Sequence, residues 1–184
     1  MIEFDKVTTR GGDRGETSLY NGKRLRKDDL LIETLGDNDE LGSFLGVAKA
    51  VSRDRKLKKI LSDIQEDLVR IGAMIATPPG DPLNETFSPL LPRDTERLEK
   101  IEKAYLRRAE IPEAFILPGE TPTSAHLDVA RSVCRRVERK VVACIRERNL
   151  GQLIPCQHYL NRLSDLLFIL ARYLSEQTQS TRKK

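Results

Sequence analysis

Two stretches of the chain decide its fold: LDVARSVCRRVERKVVAC (residues 127–144) and LNRLSDLLFILARYL (residues 160–174). In both, apolar side chains recur at spacings of three and four, which places them on one face of an α-helix. Helices with such seams pack side by side in a bundle. The seams consist of Leu127, Ala130, Cys134, Val137, Val141 and Cys144 in the first helix and of Leu160, Leu163, Leu167, Leu170 and Leu174 in the second.

The rest of the chain fits the same architecture. Helical patterning begins near residue 28, a second amphipathic helix is predicted for 55–76, and a charged helix is predicted for 93–110 after a Pro-rich break. No run alternates polar and apolar residues well enough to indicate a strand. The sequence therefore predicts an all-α protein, a five-helix bundle preceded by a Gly-rich loop.

The length of 184 residues fits one domain with a sizeable core, and we expect it to span residues 1–184. Within this domain, glycines break any helix in the N-terminal segment, and the polar end of the chain has nothing to pack against. The expected parts are a loop over residues 1–27, a helical bundle over 28–176 and a frayed tail over 177–184.

Composition narrows the classes of function. The formal net charge is +4, which suits a polyanionic ligand as well as a nucleic acid. Tryptophan is absent and aromatic residues make up only 5%, which counts against nucleic-acid binding by base stacking. No apolar stretch approaches the roughly 20 residues that span a bilayer. We therefore expect a cytoplasmic protein with no membrane or nucleic-acid partner, and three core cysteines, none of them in a CxxC pair.

Charged residues form a stripe beside the first seam. Arg131, Arg135 and Glu138 lie at i, i+4 and i+7 and share one helix face. A guanidinium group offers a rigid fork of donors that matches phosphate oxygens. Judged on this helix alone, a solvated face with ordinary i,i+4 pairs is the commoner use of such a stripe. A basic helix that binds RNA or DNA is a third interpretation, which Glu138 opposes.

The final helix carries a similar polar stripe, formed by Asn161, Asp165, Phe168 and Arg172, with Ser164 beside it. An asparagine can bind an adenine edge or a ribose, and an aspartate can pair with a facing arginine. Polar contacts between helices of an oligomer explain the same pattern equally well.

Two more segments contain groups that could bind an anion or a metal ion. The loop of residues 9–18 combines glycines, hydroxyls and basic groups, and its glycines allow backbone N–H groups to approach an anion. It is neither a P-loop nor a Rossmann fingerprint, because no strand precedes it and no Walker lysine follows. The acidic residues 37–40 could hold magnesium, form an interface salt bridge or cap a helix, and Asp13 is a rival metal candidate.

Taken together, these segments resemble the PduO-type ATP:cob(I)alamin adenosyltransferases, whose motifs recur here in order over nearly the whole chain. The two longest motifs lie in the last two helices and are specific. The matching stretches are Thr9-Arg10-Gly11-Gly12-Asp13-Arg14-Gly15, Lys27-Asp28-Asp29, Asp39-Glu40-Leu41, Phe115 to Gly119, Ala130 to Arg139 and Leu160 to Tyr173.

The resemblance implies a ferritin-like, cobalamin adenosyltransferase-like bundle that forms a homotrimer with active sites between subunits. It implies that Phe115 faces the corrinoid and helps to keep its lower axial position empty, with Ser164, Asp165 and Phe168 on the same side. Asp39 would pair with Arg131 across the interface, and Arg135 would act with them in catalysis. The ATP-binding residues implied are Thr9, Arg10, Gly11, Gly12, Thr17, Ser18, Lys27, Arg135, Arg136, Glu138, Arg139 and Asn161.

The implied reaction transfers the 5′-deoxyadenosyl group of ATP to the cobalt of cob(I)alamin and releases triphosphate. Mg²⁺ would be held mainly by the ATP phosphates, with Glu138 as a candidate ligand, and a reductase and a B12-dependent mutase are implied as partners. Four residues depart from the family pattern: Gly11, Gly42, Glu120 and Asp128. They leave a second interpretation open, in which a related bundle binds ATP or cobalamin without catalysis.

Overall fold

Five long helices form the body of the computed structural model, which describes residues 3–8, 10–77, 80–81, 86–109 and 111–182, without the side chains of residues 5, 7 and 176–182. The helix seams predicted for the last two helices lie in one continuous core. A four-residue helix α1 (Phe4–Val7) precedes the bundle, whose helices are α2 (Leu30–Val51), α3 (Arg55–Ala76), α4 (Pro92–Leu106), α5 (Pro122–Arg148) and α6 (Ile154–Arg182).

The helices pack in the order α3, α2, α5, α6, α4, so that the three middle helices each have neighbours on two sides. α5 packs against both α2 and α6, while α3 packs on α2 and α4 packs on α6. All six seam residues of α5 are fully buried, and so are Leu160, Leu163, Leu167 and Leu170 of α6. Full burial of a side chain as large as valine or leucine contributes about 1.5–3 kcal/mol to stability. The contact between α5 and α6 therefore makes a large contribution to the stability of the core. The predicted bundle is confirmed.

Side-chain caps explain where the helices begin. Asp29 accepts a hydrogen bond from the Leu31 backbone N–H at the start of α2, and Asp54 accepts two at the start of α3. At the start of α5, Thr121 and Ser124 form a reciprocal capping box in front of a proline at the first helical position. α5 ends at Asn149, whose φ of 55° is left-handed.

The N-terminal segment contains the main difference from the sequence prediction. Two three-residue strands, β1 (Glu16–Ser18) and β2 (Arg24–Arg26), pair antiparallel with Thr17 opposite Leu25. The turn between them includes Gly22 at a φ of 81°, which a residue with a side chain rarely adopts. The expectation that the chain contains no strand was therefore wrong. Strands of three residues are too short to show the polar–apolar alternation by which a strand is predicted.

The ends of two helices also differ from prediction. α4 begins at Pro92 and ends at Leu106, four residues before the expected limit of 110. α6 continues to Arg182, so residues 177–182 of the expected frayed tail are helical. No helix within the described part of the chain is long and apolar enough to cross a membrane.

A buried carboxylate ties three helices together. Asp67 on α3 is 4% exposed and accepts a hydrogen bond from the Tyr159 hydroxyl of α6 at 2.5 Å. Arg97 of α4 and Arg70 of α3 donate to the same carboxylate. Arg70 also reaches Asp94 at the start of α4 at 2.8 Å. Burial, together with the neighbouring Asp67 charge, raises the pKa of Tyr159 well above its usual value, so the phenol stays a hydrogen-bond donor.

We predict that Asp67→Ala destabilises the protein strongly, by about 3–5 kcal/mol, because it leaves the buried Tyr159 hydroxyl and two partly buried guanidinium groups without their acceptor. Chemical denaturation measures this directly. Asp63→Ala is the matched control one turn away on α3, where the carboxylate pairs only with the largely exposed Lys59, and it should leave the unfolding midpoint nearly unchanged. Equal effects of the two substitutions would contradict the structural role of Asp67.

Candidate functional site

A groove of about 950 Å³ opens between the loop before α5 and the faces of α2, α5 and α6. Its apolar wall includes Phe44 of α2, Val129 of α5 and Phe168 of α6. Its charged lining consists of four arginines and two acids, namely Arg131, Arg136, Arg139, Arg172, Glu40 and Asp128. An apolar wall with a few convergent charges suits a large, flat, mostly apolar ligand that carries polar groups at its edge.

Phe115 stands in the loop that forms one side of this groove. Its side chain is 93% exposed, although an aromatic ring normally loses most of its surface to packing. Ile116 and Pro118 of the same loop also line the groove, and Gly119 at a φ of 103° turns the chain toward α5. The loop therefore presents an apolar ring with no protein partner that covers it within the described residues.

Phe168 lies between two guanidinium groups on the groove wall. The Cζ atom of Arg131 is 5.4 Å from the ring centroid, and that of Arg172 is 5.7 Å away. Both distances lie within the range of a cation–π contact. Arg172 also donates to Asp128 at 2.5 Å. The charge of Asp128, one of the departures from the family pattern, is therefore neutralised inside the chain.

The arginines of α5 divide into two groups. Arg136 is engaged by α2, since it pairs with Asp37 at 3.1 Å and donates to Glu40. Arg135 and Arg139 are exposed, and they form no ion pair or hydrogen bond with any described residue. Of the three arginines on this helix that were predicted to bind ATP, Arg136 is thus already paired, whereas Arg135 and Arg139 present their donors to solvent.

Glu138 and Asn161 join α5 to α6. The Asn161 amide donates to Glu138 at 3.2 Å, and its oxygen accepts from Arg162 at 2.9 Å. Arg162 in turn pairs with Glu99 of α4 and with Asp165. The hydroxyl of Ser164, predicted on the corrinoid side, donates to the Asn161 carbonyl and is buried. Asn161, Ser164 and Asp165 of the polar stripe therefore belong to one hydrogen-bonded network, which reaches Glu138 of α5 and, through Arg162, Glu99 of α4.

The Gly-rich loop folds back on Lys27. A Cβ atom added at Gly12 would lie 3.0 Å from the Lys27 ammonium nitrogen, and the Lys27 N–H donates to the Gly15 carbonyl at 2.8 Å. Arg24 donates to the Gly11 carbonyl at 2.9 Å. The Lys27 side chain therefore packs against the backbone of the loop at Gly12, and a side chain at this position would require the lysine to shift.

Four other residues of this segment were predicted to bind ATP. Arg10 has a φ of 54°, a left-handed conformation that is uncommon for a residue with a side chain. Thr17 and Ser18 belong to strand β1, where Ser18 is exposed and Thr17 half-buried. Thr9 lies outside the described residues.

The Gly-rich loop and the groove lie at opposite ends of α5. Asp29, which follows the loop, pairs with Arg148 at the C-terminal end of α5 at 3.0 Å. Arg131, which lines the groove, precedes Arg148 by seventeen positions, a separation of roughly 25 Å at about 1.5 Å per residue. The structure therefore brings Phe115, Arg131 and Phe168 together, and Gly12 with Lys27, but it does not join the two groups within one chain.

The acidic segment of residues 37–40 is used for ion pairs. Asp37 pairs with Arg136 and Lys140, both at 3.1 Å, and Glu40 accepts from Arg136. Asn38 is buried and donates to the Leu68 carbonyl. Asp39 is exposed, and no ion pair ties it to another described residue. No group of three or more His, Cys, Asp or Glu side chains in the described chain is placed to hold a metal ion.

Two features escaped the sequence analysis. Phe44 lines the groove from α2, and its only sequence signal is its position one turn after Glu40, which lines the groove as well. The Asp128–Arg172 pair joins residues that are 44 positions apart, and no local pattern connects them. The three cysteines are buried as predicted, and burial raises the pKa of Cys156 to about 12.

Comparisons with known proteins agree with this geometry. The family model for cobalamin adenosyltransferase matches residues 7–174. The chain is 38% identical to a corrinoid adenosyltransferase from Mycobacterium leprae over 176 residues, covering 93% of this chain and 92% of the relative. It is 36% identical to a corrinoid adenosyltransferase from Citrobacter freundii over 167 residues, covering 91% and 93%.

Solved structures extend the similarity to three dimensions. One is a phenylalanine-to-alanine variant of a PduO-type ATP:corrinoid adenosyltransferase from Lactobacillus reuteri complexed with cobalamin and ATP, with a TM-score of 0.84 and 32% identity over 94% of this chain and 95% of that chain. Another is an arginine-to-lysine variant of the PduO-type enzyme from the same organism complexed with ATP, with a TM-score of 0.83 and 34% identity, covering 93% of this chain and 95% of that chain. With its long helices, apolar groove and arginine-bearing α5, this chain belongs to the cobalamin adenosyltransferase family.

Proposed function

We propose that this protein is an ATP:corrinoid adenosyltransferase of the PduO type, which transfers the 5′-deoxyadenosyl group of ATP to the cobalt of cob(I)alamin. The observation that carries the proposal is the groove, in which an exposed Phe115 and an apolar wall lie beside the arginine-rich face of α5. The products are adenosylcobalamin and triphosphate. The decisive experiment mixes the protein with ATP and reduced cobalamin without oxygen and follows the loss of Co(I) absorbance and the release of triphosphate. ATP binding without either change would instead support a non-catalytic binding protein.

The groove suits the corrinoid. We assign the apolar side to Phe115 and Phe168, with Ser164 and Asp165 at the adjoining polar row of α6. A ring as exposed as Phe115 can cover the lower face of the corrin and exclude an axial ligand from it. An empty axial position makes the reduction of Co(II) to Co(I) easier, because no donor then raises the energy of the orbital that receives the electron.

The exposed arginines suit the nucleotide. We assign the polyphosphate to Arg135 and Arg139 of α5 and to the loop residues Arg10, Gly11 and Lys27. The remaining assigned ATP contacts come from Thr9, Gly12, Thr17, Ser18, Arg136, Glu138 and Asn161. Arg136 and Asn161 already have partners in the chain, so we expect them to position their neighbours more than to bind ATP directly.

The reaction is a displacement in which the cofactor substrate supplies the nucleophile. The Co(I) electron pair attacks C5′ of the ribose, a Co–C bond forms, and the bond from C5′ to the triphosphate oxygen breaks. The triphosphate leaves with the electron pair of the broken C5′–O bond. Arg131 and Arg135 would stabilise the charge that develops on the leaving oxygen, and the groove would hold cobalt and C5′ in line.

Mg²⁺ is also part of the proposal. It usually binds one or two carboxylates together with substrate phosphates and keeps several waters. No ready cluster of metal ligands lies among the described residues, and we name Glu138, which accepts from Asn161, as the candidate carboxylate because the carboxylates of Asp37, Glu40 and Asp128 are paired with arginines. This fits an ion that arrives on ATP. Magnesium bound there would neutralise phosphate charge.

We also propose a homotrimer with active sites between subunits, as the resemblance to the family implies, and the separation of the two halves of the site supports a shared site. The Gly-rich loop lies near Arg148, and Arg131 in the groove is about 25 Å away along α5, so we infer that the two halves serve sites shared between chains. A neighbouring subunit can supply the missing half, with Asp39 paired to Arg131 across the interface. A reductase that supplies Co(I), a mutase that receives the product and a cytoplasmic location complete the proposal by resemblance to the family.

We predict that Arg135→Lys is nearly as damaging as Arg135→Ala. A lysine retains the charge but not the fork of two parallel hydrogen bonds, so the barrier should rise by about 2–4 kcal/mol. The measurement is kcat/KM for ATP, with the thermal midpoint as a folding control. Arg55→Lys, at an exposed arginine at the start of α3, should be kinetically silent. Wild-type kinetics in Arg135→Lys would remove this residue from the site.

Phe115→Ala should impair the reduction of Co(II) to Co(I) more than the transfer of the adenosyl group to Co(I). Turnover that starts from Co(II) and a reductant should fall sharply, whereas turnover from pre-reduced Co(I) should fall less and ATP affinity should stay the same. Leu117→Ala is the control, because Leu117 is 74% exposed in the same loop but does not line the groove. An equal loss in both assays would rule out the axial role.

We predict a trimer by sedimentation velocity, and a shift toward smaller species in Asp39→Arg. This reversal should lower turnover while the helical content of the chain is retained. Glu96→Arg, an exposed site on α4, serves as the charge-reversal control and should remain trimeric. A stable wild-type monomer at assay concentration would contradict the shared site.

A further inference from the structure

Arg24 on β2 ties the Gly-rich loop to the hairpin that follows it. Its Nη2 donates to the Gly11 carbonyl at 2.9 Å, and its Nε pairs with Glu16, the first residue of β1, at 3.1 Å. The register pairs Glu16 with Arg26 and Ser18 with Arg24, so these four side chains share one face of the two-stranded sheet. One guanidinium group therefore connects both strands to the loop.

The bond to Arg24 also fixes the orientation of a peptide group. The carbonyl of Gly11 and the N–H of Gly12 belong to one planar trans peptide, in which they point in opposite directions. Because Arg24 holds the carbonyl, the Gly12 N–H is directed to the other side of that peptide. It has no hydrogen-bond acceptor among the described residues, whereas the N–H groups of Asp13 and Gly15 donate to carbonyls within the loop.

Lys27 brings a positive charge to the same glycine. Its ammonium nitrogen lies 3.0 Å from the position that a Cβ atom of Gly12 would occupy. A free backbone N–H and an ammonium group beside one glycine suit an anion. If the peptide turned over, the partial negative charge of the Gly11 carbonyl would take the place of the N–H and repel a phosphate oxygen. The hydrogen bond from Arg24 opposes that turn.

The contact between Arg24 and Glu16 adds little to the stability of the fold. The two side chains are 45% and 48% exposed, and ion pairs at such exposure contribute little to the free energy of unfolding. Substitution of Arg24 should therefore change the loop and leave the helical bundle folded, which makes its role open to measurement.

We propose that Arg24 is a positioning residue for ATP. It holds the Gly11 carbonyl so that the Gly12 N–H and the Lys27 ammonium group face the polyphosphate together, and it acts through the loop without touching the nucleotide. This inference rests on the proposed function, since it takes the Gly-rich loop as part of the ATP site.

The test compares Arg24→Met with Arg26→Met in the full-length protein. Arg26 is the matched control, because it lies on the same strand and the same face but pairs with Asp28 instead of the loop. Arg24→Met should raise the dissociation constant for ATP by roughly tenfold and leave that for cob(II)alamin unchanged. Arg26→Met should change neither constant by more than about twofold.

Hydrogen exchange of the protein without ligand separates positioning from direct binding. The Asp13 and Gly15 amides, which donate within the loop, should exchange faster in Arg24→Met by about threefold or more. A lysine at position 24 can reach the Gly11 carbonyl or Glu16 but not both, so Arg24→Lys should restore part of the ATP affinity. Glu16→Gln retains Arg24 but removes its ionic anchor, and it should weaken ATP binding by about two- to threefold. This variant keeps the test valid where Arg24→Met does not fold.

The outcomes are distinct. Unchanged ATP affinity in Arg24→Met, or an equal loss in Arg26→Met, would overturn this inference and leave the proposed function intact. Weaker ATP binding with unchanged exchange of the loop amides would also overturn it, since that pattern indicates a direct contact with phosphate. A parallel loss of cob(II)alamin affinity would indicate a general structural effect and overturn it as well. Failure of the wild type to bind ATP would overturn the inference together with the proposed function.

Discussion

The Asp67 carboxylate must be neutralised inside the bundle, and the arrangement of three helices follows from that requirement. Its partners are Arg70 on its own helix, Arg97 on α4 and Tyr159 on α6. A buried charge with a missing partner costs several kcal/mol, whereas apolar contacts tolerate small rotations of a helix. The apolar core brings the helices together, and this polar junction sets how α3, α4 and α6 are placed around it.

The placement of α6 then determines the site. Tyr159 is near the start of this helix, and its bond to Asp67 fixes the direction in which the following turns face. Asn161, Phe168 and Arg172 consequently lie along the α5 side, where Asn161 meets Glu138 and Phe168 meets Arg131. The residues that build the groove wall thus depend on a contact on the far side of the same helix. In this way a structural junction outside the groove supports its geometry.

Sequence periodicity predicted what depends on repeated apolar contact. The α3 limits of 55–76 and the buried seams of α5 and α6 are as expected, because each rests on several residues that act together. Features that depend on a single long-range pair were not predictable. Arg136 and Arg135 are adjacent and chemically identical, yet only Arg136 meets Asp37 across the helix contact. The β1–β2 hairpin was not predicted because two strands of three residues contain no periodic signal. Asp128 could be identified from the sequence as a departure from the family pattern, but its pairing with Arg172, 44 positions away, could not.

Charge balance in the groove explains how one site can serve two different substrates. Of the four arginines that line it, Arg136 is matched by Glu40 and Arg172 by Asp128. Arg131 and Arg139 have no carboxylate partner among the described residues, and Arg135 lies exposed on the same helix. The groove therefore contains two neutral pairs, together with the uncompensated charges of Arg131 and Arg139 on the α5 side of the same lining. A polyanion gains most from cations that have no carboxylate partner. In the proposed function the triphosphate would lie on the α5 face at the border of the groove, and the adenosyl carbon, the part of ATP that must meet cobalt, would then lie where the two surfaces meet.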